Sequence, residues 1–219
     1  MSFTVLDIEQ RSPAWHQARA GRATGSRAGD IFATRKDGKE AAARRDYRTQ
    51  LVCERLTGLP QEDAYIGGDM RRGNELEATA FALYEAMTGQ VVRKTGFIVL
   101  DDEMIGTSLD GDIEDFTGIV EIKCPRAANH LAYVRAGGVP YDYLHQIVHG
   151  QLVTGAHWTD FVSFCPAFPP ELQLFIVRLP RDDKQVHSYR MALTLFLSEV
   201  ERDLADVRKL LLDRFGVTA

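Results

Sequence analysis

The spacing of apolar and polar positions changes character several times along the chain. Ser12-Pro13 is a helix-start signal, with proline at the first turn, and opens a helix predicted over residues 12–32. Residues 40–57 repeat apolar positions at helical spacing and stop before Gly58 and Pro60. A third helix is predicted over 70–88, closed by Gly89. The runs VVRKTGFIVL, MIGTSLDG and TGIVEIKCP then read as strands joined by hairpins, because they are short, β-branched and punctuated by Gly and Asp. Helical spacing returns over 141–155. Two further strands, WTDFVSFCP and LQLFIVRLP, flank a corner containing Pro166, Pro169 and Pro170. From 183 to 215 one long amphipathic helix is predicted, with Leu195, Val200, Leu204, Leu211 and Phe215 among its apolar positions. No internal repeat or long linker interrupts this order. It is the order of a single α/β domain over residues 1–219, a mixed central β-sheet flanked by α-helices.

A hydrophobic content of 45% with 26% charged residues supports a folded core and excludes a disordered chain or a coiled coil. The net charge of -5 argues at first against a nucleic-acid partner. Resolved along the chain it does not. Residues 11–55 carry 11 Lys/Arg against 5 Asp/Glu, a local +6, which leaves -11 for the rest. Residues 101–121 hold 8 acidic residues and no Lys or Arg. Two solvated faces would account for this, and so would a phosphate-binding entrance beside a carboxylate pocket for a metal.

Cys53, Cys124 and Cys165 show neither a disulfide framework nor zinc spacing, which predicts small buried side chains in a reducing cytoplasm. MSFTVLDIEQ lacks the pattern of a signal peptide and no run is long enough to cross a bilayer, so a cytoplasmic protein without a membrane association is expected. Gly38-Lys39 is followed by Glu40 with no preceding Walker glycine, which argues against ATP-driven action. His145 and His149 share a helix face, but no glutamate completes a zinc-binding pattern, and they read as ordinary helix residues. Trp15 and Trp158 read as core anchors.

The chemistry concentrates in two strands. Asp110 ends one of them, and Glu121-Ile122-Lys123 lies eleven residues on in the next. Alternation along a strand puts Glu121 and Lys123 on one face and Ile122 on the other. A hairpin can bring the carboxylates of Asp110 and Glu121 together, and such a pair calls for a cation between them. Mg²⁺ suits carboxylate, carbonyl and water oxygens, and the Ile122 backbone carbonyl could complete the set. Lys123 is placed to orient an attacking water or to stabilise charge developing on a phosphorus-bound oxygen. Together these groups suggest phosphodiester hydrolysis. A surface Glu–Lys pair remains the ordinary alternative, and spacing alone does not decide.

Asp110 followed by Glu121-x-Lys123 resembles the PD-(D/E)XK pattern of the restriction-endonuclease-like superfamily. More narrowly, five ordered blocks resemble the phage lambda exonuclease family, the alkaline exonucleases of viral recombination systems. These are Trp15–Gly21 with Ser26, Gly73-Asn74-Glu75-Leu76-Glu77, Ser108-Leu109-Asp110-Gly111, Glu121-Ile122-Lys123-Cys124-Pro125, and Gln146. The resemblance implies a restriction-endonuclease-like core with Asp110, Glu121 and the Ile122 carbonyl as ligands of one or two Mg²⁺ ions, with Mn²⁺ able to substitute. It implies that Glu77 works near the metals, whereas Glu75 points elsewhere, and that Gln146 holds Lys123 or the water. It implies that Arg19 and Ser26 hold a terminal 5′-phosphate, with Arg22 and Arg27 nearby on the DNA backbone.

The activity so implied is a Mg²⁺-dependent 5′→3′ exonuclease on double-stranded DNA ends, leaving a 3′ single strand. A homotrimer and a single-strand annealing recombination partner are implied with it. Leu109 stands where the family often has proline, Asp101, Asp102 and Glu103 compete for an auxiliary metal role, and the loop from Cys124 to the Gln146 helix differs in length. The alternatives are an endonuclease on the same core, which would cut closed circles, and a non-catalytic DNA-binding module. The complete Asp110, Glu121 and Lys123 set speaks against the latter, and the basic 11–55 segment disfavours a small-molecule phosphohydrolase.

Overall fold

The computed structural model describes residues 2–61 and 68–216. In chain order it runs β1 (Phe3–Leu6), α1 (Pro13–Arg19), β2 (Ala23–Thr24), α2 (Ala28–Ile31), α3 (Ala42–Thr57), α4 (Gly68–Thr88), β3 (Phe97–Leu100) and β4 (Ile105–Ser108). It continues β5 (Gly111–Ile113), β6 (Gly118–Lys123), α5 (Ala127–Ala136), α6 (Tyr141–Thr154), β7 (Trp158–Phe164), α7 (Pro170–Gln173), β8 (Leu174–Pro180) and α8 (Asp183–Phe215). These elements form two compact units, one of residues 2–61, 96–108 and 183–216, the other of residues 68–95 and 109–182.

The first unit holds a sheet of order β1-β3-β4-β2, antiparallel except where β2 runs parallel to β4. Ser12 caps α1 by accepting from the Trp15 N–H at 3.2 Å, as the Ser-Pro signal predicts. The helix expected over 12–32 nevertheless breaks after Arg19. Gly21 adopts a left-handed φ of +74°, and its N–H donates to the Glu54 carboxylate at 2.7 Å. Ala23 and Thr24 then pair with Ile105 and Gly106, so sheet pairing overrides local helical preference. Helix α3 ends as expected at Gly58, φ +67°. Long helix α8 buries Val186, Tyr189, Leu193, Phe196, Val200 and Leu204, a seam at helical spacing, with Phe196 stacked on Tyr47 at 5.5 Å. Val200 and Leu204 belong to that seam, but Leu195 and Phe215 are exposed.

The second unit holds a sheet of order β5-β6-β7-β8, with β6 parallel to β7 and the outer pairs antiparallel. A parallel pair needs a crossover, supplied by α5 and α6. Helix α5 occupies part of the segment read from sequence as a loop. The buried ring of His130 pins it, through Ser163 Oγ and the Leu172 carbonyl, both at 2.8 Å. On one face of the sheet Val120 and Ile122 pack with Val162 and Phe164 against Ala80, Phe81 and Tyr84 of α4. Alternation sends Ile119, Glu121 and Lys123 to the other face, toward α6. Gly118 is required beside Trp158, since a Cβ there would lie 2.2 Å from the indole ring. Buried Asp160 accepts both prongs of Arg178 at 2.8 Å and the Tyr84 hydroxyl at 2.6 Å.

The mixed α/β class is as expected, but among the described residues the strands divide between two four-stranded mixed sheets instead of one. Both edges of β4 are already paired, with β3 and β2, so the chain after Ser108 starts a new ladder.

Candidate active site

Asp110 stands between β4 and β5, and Glu121 and Lys123 occupy alternate positions near the end of β6. The Ile122 N–H donates to Asp110 Oδ2 at 2.6 Å, which ties the acid to the strand that carries the other two. Glu121 Oε1 accepts from Gln146 Nε2 of α6 at 2.6 Å and forms an ion pair with the Lys123 ammonium. Gln146 therefore orients Glu121, whereas the resemblance implied Lys123 or the water as its partner. The ring of Tyr143, one turn before Gln146, lies 5.1 Å from Lys123 Nζ and adds a cation–π contact.

The electrostatics are those of crowded negative charge. Burial first, then the Glu121 carboxylate, push Asp110 up to about 7, against the opposing pull of Lys123 and the Ile122 N–H; Glu77 adds to the rise. Burial disfavours the charge on Lys123, but Glu121 and Asp110 outweigh it and hold the ammonium above its ordinary range. Burial, with Glu77 next, raises the Cys124 thiol to about 11, so it is protonated near neutral pH and no nucleophile.

Among the described residues no three His, Cys, Asp or Glu side chains come together as a group that could hold a metal ion. An open oxygen pair with a backbone carbonyl suits Mg²⁺, which keeps several of its waters, and the raised Asp110 marks negative charge that a cation would relieve. Asp110, Glu121 and the Ile122 carbonyl are the groups that could hold it. Glu77, on α4, has its Oε1 at 3.3 Å from Lys94 Nζ, and Glu75 is exposed. Lys94 was not singled out from sequence, where it sits inside a run read simply as strand.

In the first unit the structure brings Arg19 and Ser26 together, with Arg19 Nη2 at 3.2 Å from Ser26 Oγ. The Arg19 guanidinium lies 4.1 Å over the Trp15 ring, and the Trp15 indole N–H donates to Ser108 Oγ at 2.8 Å. Thr24 Oγ1 is 3.4 Å from Ser26 Oγ. Arg22 donates to the Glu103 carbonyl at 2.8 Å, and burial lowers its pKa. Arg27 is committed to Asp30 at 2.5 Å and Gln50 at 2.9 Å. Asp101 accepts from the Thr4 hydroxyl at 2.9 Å, and Glu103 pairs with Arg190 at 2.6 Å. His149 is fully buried and His145 half-buried, its pKa lowered by burial.

A family profile described as the YqaJ-like viral recombinase domain matches residues 14–157, which contain Asp110, Glu121, Lys123 and Gln146. No curated protein matches the chain. The alkaline exonuclease LHK-Exo from Laribacter hongkongensis superposes with a TM-score of 0.82 at 33% identity, over 92% of this chain and 99% of that one. The same enzyme in complex with dAMP gives 0.83 at 32% identity, over the same 92% and 99%. A phage-related exonuclease from Haemophilus somnus 129PT, 16% identical, shares the fold with a TM-score of 0.65 over 85% of this chain and 96% of that one. On sequence profile and fold together, the chain belongs to the YqaJ-like viral recombinase family and is related to the lambda-type alkaline exonucleases.

Proposed function

We propose that this protein is a Mg²⁺-dependent exonuclease that degrades linear double-stranded DNA 5′→3′ and leaves a 3′ single strand, with Mn²⁺ able to replace Mg²⁺. The observation that carries the reading is the convergence of Asp110, Glu121 and Lys123 around β6 in a member of this family. The LHK-Exo structure with dAMP supports it, since that relative holds a deoxynucleotide.

Bound at Asp110, Glu121 and the Ile122 carbonyl, the metal would supply Lewis-acid polarisation and an activated water. The chain's own residues do the rest. Gln146 fixes the Glu121 carboxylate through Oε1, and the Ile122 N–H fixes Asp110 through Oδ2. Lys123, held cationic by both carboxylates, offers a proton-bearing charge to oxygen on phosphorus. Glu77 contributes further negative charge from α4, balanced by Lys94.

Arg19 and Ser26 take the terminal 5′-phosphate, a guanidinium and a hydroxyl suited to a dianion. An enzyme that grips this end begins there, which gives the direction. Arg22 and Arg27 have internal partners and take a lesser part on the backbone of the DNA. The reading includes a homotrimeric assembly, a single-strand annealing recombination partner and a cytoplasmic setting. Among the described residues no helix is long and apolar enough to cross a membrane.

The test is digestion with Mg²⁺ of linear duplexes bearing 5′-phosphate or 5′-hydroxyl ends, beside a covalently closed circle. Fast loss of the phosphorylated duplex with a spared circle is expected. Comparable cutting of the circle would make the enzyme an endonuclease, and equal rates at the two ends would remove the Arg19 and Ser26 pocket.

A further inference from the structure

Strand β6 is held by its neighbour only as far as Lys123, whose ladder partner is Ser163. The next residue, Cys124, precedes Pro125, which has no N–H to extend the ladder. The Cys124 carbonyl instead accepts from Arg72 Nη2 at 2.7 Å. Arg72 belongs to α4, five residues before Glu77, and so about 7.5 Å along the helix axis. On the far side of Glu77 the helix is fastened by Ala80, Phe81 and Tyr84, which pack against Val120 and Ile122. That apolar contact resists separation but, being non-directional, sets register weakly. The Arg72 bond is directional, and it grips the strand one residue beyond Lys123.

A second observation marks the guanidinium as held in place at a cost. Its Nε is buried and has no hydrogen-bond partner among the described residues, a condition native folds rarely keep without a reason.

We propose that Arg72 is a positioning residue: it locks the helix that carries Glu77 to the strand end that carries Glu121 and Lys123, and so sets the spacing of the oxygens offered to a divalent cation. The inference rests on the metal-dependent reading of this site. Mg²⁺ requires near-ideal octahedral geometry, whereas Ca²⁺ accepts irregular oxygen sets. Loosening the lock should therefore penalise Mg²⁺ more than Ca²⁺, which distinguishes positioning from general destabilisation.

The experiment is calorimetric titration of MgCl₂ and CaCl₂ into the full chain and into Arg72→Met, Arg72→Gln and Arg72→Lys, with thermal unfolding of each recorded alongside. The wild type is expected to bind both ions. The Met and Gln variants are expected to lose roughly 10- to 100-fold in Mg²⁺ affinity, the range typical of outer partners of a metal site, and less for Ca²⁺. Lysine, with a donor of similar reach, should recover most of the Mg²⁺ loss. Either the Met or the Gln variant carries the test should the other fail to fold. Unchanged Mg²⁺ affinity, or equal losses for the two ions, overturns the role of Arg72 while leaving the metal site standing. A wild type that binds no Mg²⁺ overturns both.

Discussion

Replacing Asp110 with asparagine is expected to stabilise the metal-free protein at pH 8 and to flatten its pH dependence between about 4 and 7. Burial, followed by the neighbouring Glu121, moves Asp110 from an ordinary 3.8 to about 7. Across that window the folded protein keeps a proton that the unfolded chain has released. Stability therefore falls as pH rises, and the penalty is complete above pH 7. A gap of about three pH units corresponds to roughly 4 kcal/mol. In a chain of this size that is roughly 8–16 °C in Tm, and the partial solvent contact of Asp110 places the effect low in the range. Asparagine still offers an oxygen to the Ile122 N–H, so the 2.6 Å bond is kept while the charge goes. The assay is thermal unfolding by circular dichroism in EDTA at pH 5, 6, 7 and 8. The gap between the two proteins should widen steadily from pH 5 to pH 8, and added Mg²⁺ should raise the wild type alone. Parallel pH profiles, or a variant less stable at pH 8, would refute the reasoning.

Glu121→Gln and Lys123→Ala should each reduce DNA cleavage by more than about 100-fold with binding retained; near-normal turnover in single-turnover digestion would sink the proposed roles. Arg19→Ala and Ser26→Ala should lower the rate on 5′-phosphorylated ends by roughly 10- to 100-fold, the weight of a charge-assisted hydrogen bond, and leave 5′-hydroxyl ends nearly unchanged. Asp160→Ala should cost stability at the low end of the roughly 3–5 kcal/mol of a broken buried pair, because Arg178 keeps solvent contact. A denaturant midpoint equal to wild type would contradict that.

What was legible in the sequence was whatever depends on neighbours along the chain. The two-residue period placed Glu121 and Lys123 on one face and Ile122 on the other, and the structure packs Ile122 into the α4 cluster accordingly. The ends of α3 and α4, and the extent of α8, followed from glycine stops and helical spacing. Features imposed by distant partners were not readable. Strand β1 exists because β3 pairs with it, and α5 because His130 reaches Ser163 and Leu172. Leu195 sits at an apolar position yet points outward, since the seam that packs runs through Leu193 and Phe196. The same holds at the site. Asp110 and Glu121 announce themselves by type and spacing, but Gln146 choosing Glu121, Lys94 meeting Glu77, and Arg72 gripping Cys124 depend on helices folding onto the strand.

The crossover between β6 and β7 has a consequence for the life of the protein during its synthesis. Glu121 is oriented by a glutamine 25 positions later, and the strand beneath it is paired on one side by β7, which is made later still. A nascent chain that has emerged only as far as α5 already carries Asp110, Glu121 and Lys123, but neither the helix nor the parallel neighbour that aligns them. Because such non-local pairing cannot form before both segments exist, the alignment of these three side chains waits until the chain has been made through β7.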